Sequence, residues 1–173
     1  MHEEATKFLI NKKIPIKQSD TETAYDSSMN TIFVAQKHLK PGTFAHEVGH
    51  ALVDKNNLYE NEELAIIMKN VVANAKYVVK KKDDEYFIYL HSDKFVRNYQ
   101  GKTYINVTKK YKNLKKGEHL KIGAFDYRDL EEYVSVGYET FVSNPQLLYD
   151  KDKELYDFFK KGGLFNEVTK GKK

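Results

Sequence analysis

The spacing of apolar positions divides the chain into alternating helical and extended segments. Residues Glu3 to Asn11 place Ala5, Phe8 and Leu9 on one side of a short amphipathic helix. Ile14-Pro15-Ile16 reads as extended, because proline disfavours helix at its own position and at the residue before it. Ala24-Tyr25 and Thr31 to Ala35 flank the turn-rich Asp26 to Asn30, which predicts a hairpin; if its second strand lay at a sheet edge, its free backbone groups would be open to an extended peptide. Pro41-Gly42 marks a turn, and Thr43 is the expected N-cap of a helix built on Phe44, Ala45, Val48, Ala51, Leu52 and Val53. A second helix follows Asn61, with Leu64, Ile67, Met68, Val71, Val72 and Ala75 at helical spacing.

Two hairpins are predicted next. Tyr77 to Val79 pairs with Tyr86 to Leu90 across a charged turn, and Phe95 to Tyr99 pairs with Thr103 to Val107 across Gln100-Gly101. Lys109 to Glu118 reads as a charged connector. The apolar stripe Leu130, Tyr133, Val134, Gly137, Phe141 and Val142 predicts a helix from Leu130 to Ser143, ended by Asn144-Pro145. A last helix from about Asp152 to Lys161 buries Leu155, Phe158 and Phe159 and stops at Gly162-Gly163. The expectation is a single α+β domain over residues 1–165, followed by a disordered basic tail over 166–173.

Length and composition narrow this only a little. The 173 residues, 40% hydrophobic and 31% charged, are enough for one sizeable core. No apolar run approaches the length of a membrane span, and the opening Met1-His2-Glu3-Glu4 does not resemble a signal peptide. A cytoplasmic or particle-associated location is therefore expected of the chain as given. The net charge of +4 rests almost wholly on lysine, with Arg97 and Arg128 the two arginines. Acids are interleaved with most of the lysines, which argues against nucleic acid as the partner. With no cysteine, any metal must be held by His, Asp or Glu.

The candidate chemistry sits in His46-Glu47-Val48-Gly49-His50. His46 and His50 are one helical turn apart, so both imidazoles reach a single metal ion, while Glu47 falls beside it, where a carboxylate can take a proton from metal-activated water. Gly49 costs a helix about 1 kcal/mol relative to Ala, which implies that another backbone comes close there. Catalytic zinc takes three protein ligands, so a third must come from elsewhere. Glu131, Glu132 and Glu139 lie on the helix from 130 to 143, and Glu132 and Glu139 share a face, with the small Ser135 between them.

The motif His46-Glu47-Val48-Gly49-His50-Ala51, the segment Glu132-Tyr133-Val134-Ser135, then Asn144-Pro145 and Leu155-Tyr156-Asp157-Phe158 together resemble the zincin-type peptidases of the anthrax toxin lethal factor-like group. That group includes the secreted Pro-Pro endopeptidases; the resemblance is closer to the zincin-like domains of phage head-morphogenesis proteins. It spans about residues 24 to 160 and implies a zincin fold, a zinc metallopeptidase (hydrolase) activity on a protein or peptide substrate, and one catalytic Zn2+ held by His46, His50 and Glu132. Glu47 would then be the general base, and Glu139 an outer or alternative group. Asp54, one turn beyond His50, would orient an imidazole or be a plain helix-end aspartate.

Two departures stand out. The 82 residues from His50 to Glu132 exceed the spacing of the compact secreted members, as if the hairpins were inserted. Where those members carry an oxyanion-stabilising tyrosine, seven residues before the ligand, this chain has Phe125. Tyr127 is the nearest substitute and is the expected catalytic tyrosine, with Tyr99 or Tyr104 reaching in from the insertion as the other candidates. The phage-type resemblance and this missing tyrosine motivate a second reading, a catalytically idle zinc-binding domain with a structural or interaction role in a phage particle or mobile element.

Overall fold

The computed structural model describes residues 2–40 and 42–168. Helix α1 (His2–Asn11) buries Phe8 and packs Ala5 and Leu9 against the core, as its spacing predicts. Three short strands follow: β1 (Ile16–Gln18), β2 (Ala24–Asp26) and β3 (Thr31–Val34), in the order β1-β3-β2. β2 and β3 form the expected antiparallel hairpin, with Tyr25 opposite Ile32. β3 is not an edge strand, because β1 pairs in parallel along its other side. Its backbone is therefore already engaged, and the sheet's edges are β1 and β2.

Helix α2 (Thr43–Lys55) carries both histidines. Its N-cap is Gly42 rather than Thr43, which is the first helical residue. The cause is steric: residue 42 sits at φ +92°, a left-handed conformation that favours glycine, and a Cβ there would lie 2.9 Å from Cγ of Glu139. Helix α3 (Glu62–Asn74) begins as predicted, with the Asn61 side chain accepting from the Leu64 amide at 3.0 Å.

The second sheet contains β4 (Lys76–Lys82), β5 (Glu85–His91) and β6 (Lys102–Asn106), in that order and antiparallel throughout. The first predicted hairpin is present; the second is not. Residues 95–99 do not form a strand, since Phe95 leaves the sheet to bury its ring against Tyr133, and Asn98–Gly101 form a 3-10 turn. Gln100 fixes that turn from inside the protein, donating to the Tyr133 carbonyl at 3.1 Å and accepting from the Val96 amide at 2.9 Å. β6 pairs instead with β5. The charged connector contains a short helix, α4 (Thr108–Lys112), stacked on β5 through Tyr111 and Tyr86.

Helix α5 (Glu131–Ser143) is the spine of the molecule, with Tyr133, Val134, Ser135 and Val136 fully buried. It is followed at once by α6 (Pro145–Lys151), which the sequence reading did not anticipate: Asn144 both ends α5 and caps α6, and Pro145 takes the first helical position, where its missing N–H costs nothing. Helix α7 (Lys153–Lys160) is capped by Asp152, which accepts from the Leu155 amide at 3.2 Å. The architecture is thus mixed α+β, with α2 crossing α5 in the core. Of the expected tail, residues 166–168 are tied to the C-terminal end of α2 and to Lys12, the Val168 amide donating to the Asn56 carbonyl at 3.0 Å and Glu167 pairing with Lys12 at 2.6 Å. Residues 169–173 lie outside the described residues.

Candidate metal centre

The crossing of α2 and α5 is set by small residues. A Cβ on Gly49 would stand 2.7 Å from Cα of Ser135, so the two helices touch backbone to backbone at that point. This is the close approach implied by a glycine in mid-helix. His46 and His50 sit on one side of Gly49, and Glu132 sits one turn before Ser135, so the contact brings three donor atoms together. Nε2 of His46 is 3.1 Å and Nε2 of His50 is 3.2 Å from Oε2 of Glu132, and the two Nε2 atoms are 3.2 Å apart. A tetrahedral ion with bonds of about 2.0–2.1 Å separates its ligands by roughly 3.3 Å, so this near-equilateral triangle has the size of one face of a zinc site. Two imidazole nitrogens and a carboxylate oxygen are also the donor set that zinc takes. His46, His50 and Glu132 therefore form a cluster able to hold a metal ion.

Three like-sided donors held this close create strong electrostatics without a metal. Burial pushes the Glu132 carboxyl up, but hydrogen bonds from His46, His50 and Tyr104 outweigh it and hold the group well below the usual carboxylate range. Burial pushes the His46 imidazole down, but Glu132, Glu139 and Glu47 outweigh it and lift the group to about 9. Glu47 is moved up by burial, only partly offset by the Tyr25 amide and the two histidines.

Glu47 is oriented by a backbone donor, and a second carboxylate stands behind His46. Glu47 is 8% exposed, and its Oε2 accepts from the Tyr25 amide of edge strand β2 at 2.8 Å. Glu139, two turns along α5 from Glu132, is not part of the triangle. Its Oε2 lies 3.3 Å from Nδ1 of His46, on the far side of the ring. That is ion-pair range, but the N–H direction is off line and Nδ1 makes no hydrogen bond. Arg97 grips Glu139 with both guanidinium nitrogens, at 3.2 and 2.5 Å. At 3.3 Å from Nδ1, Glu139 favours positive charge on the His46 ring, without a hydrogen bond that would fix its tautomer.

Tyr127 is not brought to the centre. Its ring is buried against Tyr59 and its hydroxyl donates to the Tyr59 carbonyl at 2.7 Å, outside the residues that line the cleft. Phe125 packs beside Tyr77, likewise away from it. Tyr99 and Tyr104 reach the site instead. Tyr99 donates to Oε1 of Glu132 at 3.1 Å, Tyr104 makes a short hydrogen bond to the same oxygen, and the two hydroxyls are 3.2 Å apart. Tyr104 holds φ at +57°, rare for a bulky residue, and β6 is irregular against β5 between Phe87 and Tyr89. The bulge turns Tyr104 out of the sheet and toward Glu132. Asp54 does not orient an imidazole: it accepts from the Tyr25 hydroxyl at 2.6 Å and lies 3.0 Å from Nζ of Lys55.

His46, Glu47, His50, Glu132, Tyr99 and Tyr104 all face one open cleft of about 830 Å³. Sequence reasoning missed Tyr25 and Arg97 as orienting groups. For Arg97 a signal existed, since it is one of only two arginines and adjoins the turn that presents Tyr99. The part played by Tyr25 is a backbone amide, on which side-chain identity has no bearing. Among the described residues, no helix is long and apolar enough to cross a membrane. Comparison with protein-family models, curated proteins and solved structures returns no match.

Proposed function

We propose that this chain is a zinc-dependent metalloendopeptidase of zincin type, related to the lethal factor-like peptidases whose motifs it resembles. The observation that carries the reading is the triangle of His46 Nε2, His50 Nε2 and Glu132 Oε2, of zinc-ligand size, at the floor of a cleft into which Glu47 also opens. These three residues would hold the ion. Zinc there would supply a Lewis acid that polarises a scissile carbonyl and makes water acidic.

The remaining steps belong to the chain. Glu47, fixed by the Tyr25 amide and with its proton affinity raised by burial, takes the proton of the attacking water and passes it to the departing amine. Tyr99 and Tyr104, both shifted up by burial, with Glu132 adding to the rise and the Tyr104 hydrogen bond offsetting part of it at Tyr99, remain protonated donors at neutral pH. Their hydroxyls turn from Oε1 of Glu132 to the oxygen that gains charge as the carbonyl becomes tetrahedral.

Zinc-loaded protein and its Glu47→Gln variant should be compared on a library of unstructured peptides and on candidate protein partners. Glu47→Gln should abolish cleavage while leaving zinc content and melting temperature close to the parent's. Unchanged function in Glu47→Gln would instead favour the catalytically idle zinc-binding domain.

A further inference from the structure

The second sheet turns one face to the core through Ile88 and Leu90, both buried. The other face presents Phe87 and Tyr89, half-buried and outside the hydrophobic core, with Val78 opposite Tyr89 on β4. By register, Lys80 stands opposite Phe87, Lys102 opposite Tyr89, and Lys82 and Lys76 extend the same side of β4. Among the described residues, none of these four lysines makes an ion pair, whereas Lys81 on the opposite side is matched by Asp84 at 2.8 Å. Nζ of Lys80 lies 4.6 Å from the Tyr89 ring centre and Nζ of Lys102 lies 3.7 Å from that of Tyr104. The one acid on this face is Glu85, at the hairpin end, where it accepts from Asn106 at 3.0 Å. Lysines on an edge strand discourage pairing with other chains. That role accounts for β4 and β6, but not for two half-exposed aromatic residues on the central strand.

This face runs directly into the metal centre, because Lys102 precedes by two residues the Tyr104 that reaches Glu132. The cleft itself has the opposite charge: Glu22, Asp54, Glu60 and Glu131 line its walls against Arg128 alone. An acidic ligand is thus repelled from the cleft and attracted to the sheet beside it.

We propose that the outer face of β4, β5 and β6 is an exosite that binds an acidic segment of a protein, with glutamates or aspartates meeting Lys76, Lys80, Lys82 and Lys102 and intervening apolar side chains resting on Phe87 and Tyr89. Calling that protein the substrate rests on the peptidase reading; the binding itself does not. An exosite of this kind adds affinity for the whole substrate by making entry of its scissile stretch into the cleft intramolecular.

The test is fluorescence anisotropy with a short labelled peptide rich in glutamate with interspersed leucine, on zinc-loaded Glu47→Gln protein, so that no hydrolysis intervenes. Saturable binding at low salt should weaken about tenfold in the combined Lys76→Gln, Lys80→Gln, Lys82→Gln variant and fall as salt rises. Lys76 and Lys82 are exposed and Lys80 is half-buried over Tyr89, so the melting temperature should fall by no more than about 4 °C, and in protein with Glu47 intact the substitutions should leave cleavage of a short uncharged peptide at the parent rate. Absence of saturable binding, or binding equal in the triple variant, would overturn the exosite. So would tighter binding of oligo-dT than of the acidic peptide through the same lysines, which would make the face a nucleic-acid surface. Absence of any peptide cleavage by the parent enzyme would sink the peptidase reading alone, since anisotropy still reports the exosite.

Discussion

Gly49→Ala is the substitution for which the structure makes the most exact demand. Alanine is the better helix former, by about 1 kcal/mol, so propensity alone predicts a more stable protein. The geometry predicts the reverse. The new Cβ would meet Cα of Ser135 at 2.7 Å, and ordinary contact begins at about 3.4 Å, so the helices must part by about 0.7 Å. The obstructing atom is backbone in the middle of a buried helix and cannot rotate away. Overpacking of this kind costs about 1–3 kcal/mol. The two effects leave a net loss of roughly 0–2 kcal/mol, or a fall in melting temperature of up to about 8 °C. Zinc binding should suffer more, because His46 and His50 move with α2 while Glu132 stays with α5. Metal–ligand distances tolerate only about 0.2 Å. A loss of affinity on the order of 10–100-fold is expected, the scale seen when groups that orient metal ligands are disturbed. The assay is thermal unfolding of the metal-free protein with zinc titration against a competing chelator. Adding Ser135→Gly should restore little, since the Cα that causes the clash remains. A Gly49→Ala protein that melts higher than the parent and binds zinc as tightly would refute the account of how the ligands are assembled.

Metal content separates the two glutamates: Glu132→Ala should abolish stoichiometric zinc binding, whereas Glu139→Ala should keep it, as measured by chelator competition; the opposite ranking would exchange their roles. Tyr104→Phe should lower kcat by a factor on the order of 10²–10³ with little change in KM if its hydroxyl meets the oxyanion, and Tyr127→Phe should affect melting alone; a Tyr127→Phe enzyme with the larger kinetic loss would reverse the assignment. His46, lifted to about 9 against an ordinary value of 6.5, contributes stability that is complete below pH 6.5 and is lost as pH rises through 9. The melting temperature of zinc-free protein should therefore fall across that window, while zinc-loaded protein, whose imidazole is already neutral, should not follow; parallel pH profiles would sink this.

What the sequence revealed and what it withheld divide along the range of the interactions. His46, Glu47 and His50 lie within one helical turn and a half, so their convergence follows from helix geometry alone. Gly49 was legible for a related reason, since a residue that harms its own helix implies a neighbour. Periodicity also put Glu132 and Glu139 on one face, but could not say which would point at the histidines, because that depends on where along α5 the crossing with α2 falls. Ser135 fixes the crossing, and it takes effect only when set against Gly49. The tyrosine that meets Glu132 depended on a feature further removed. Tyr127 is near Glu132 in the chain, yet the 3-10 turn before α5 carries its hydroxyl to Tyr59. Tyr104 is 28 residues from Glu132, on a strand whose partner and bulge no local pattern announced. The same hidden feature explains the failed second hairpin: Phe95 alternates like a strand residue because it is apolar, but its ring is needed beside Tyr133. With Phe95 anchored there and Gln100 pinned to the Tyr133 carbonyl, the turn after β5 is held against α5. That attachment, with the pairing of β6 to β5, sets Tyr99 and Tyr104 against Glu132, so the second sheet is fastened to the candidate centre by groups that do not belong to the His46-His50-Glu132 cluster.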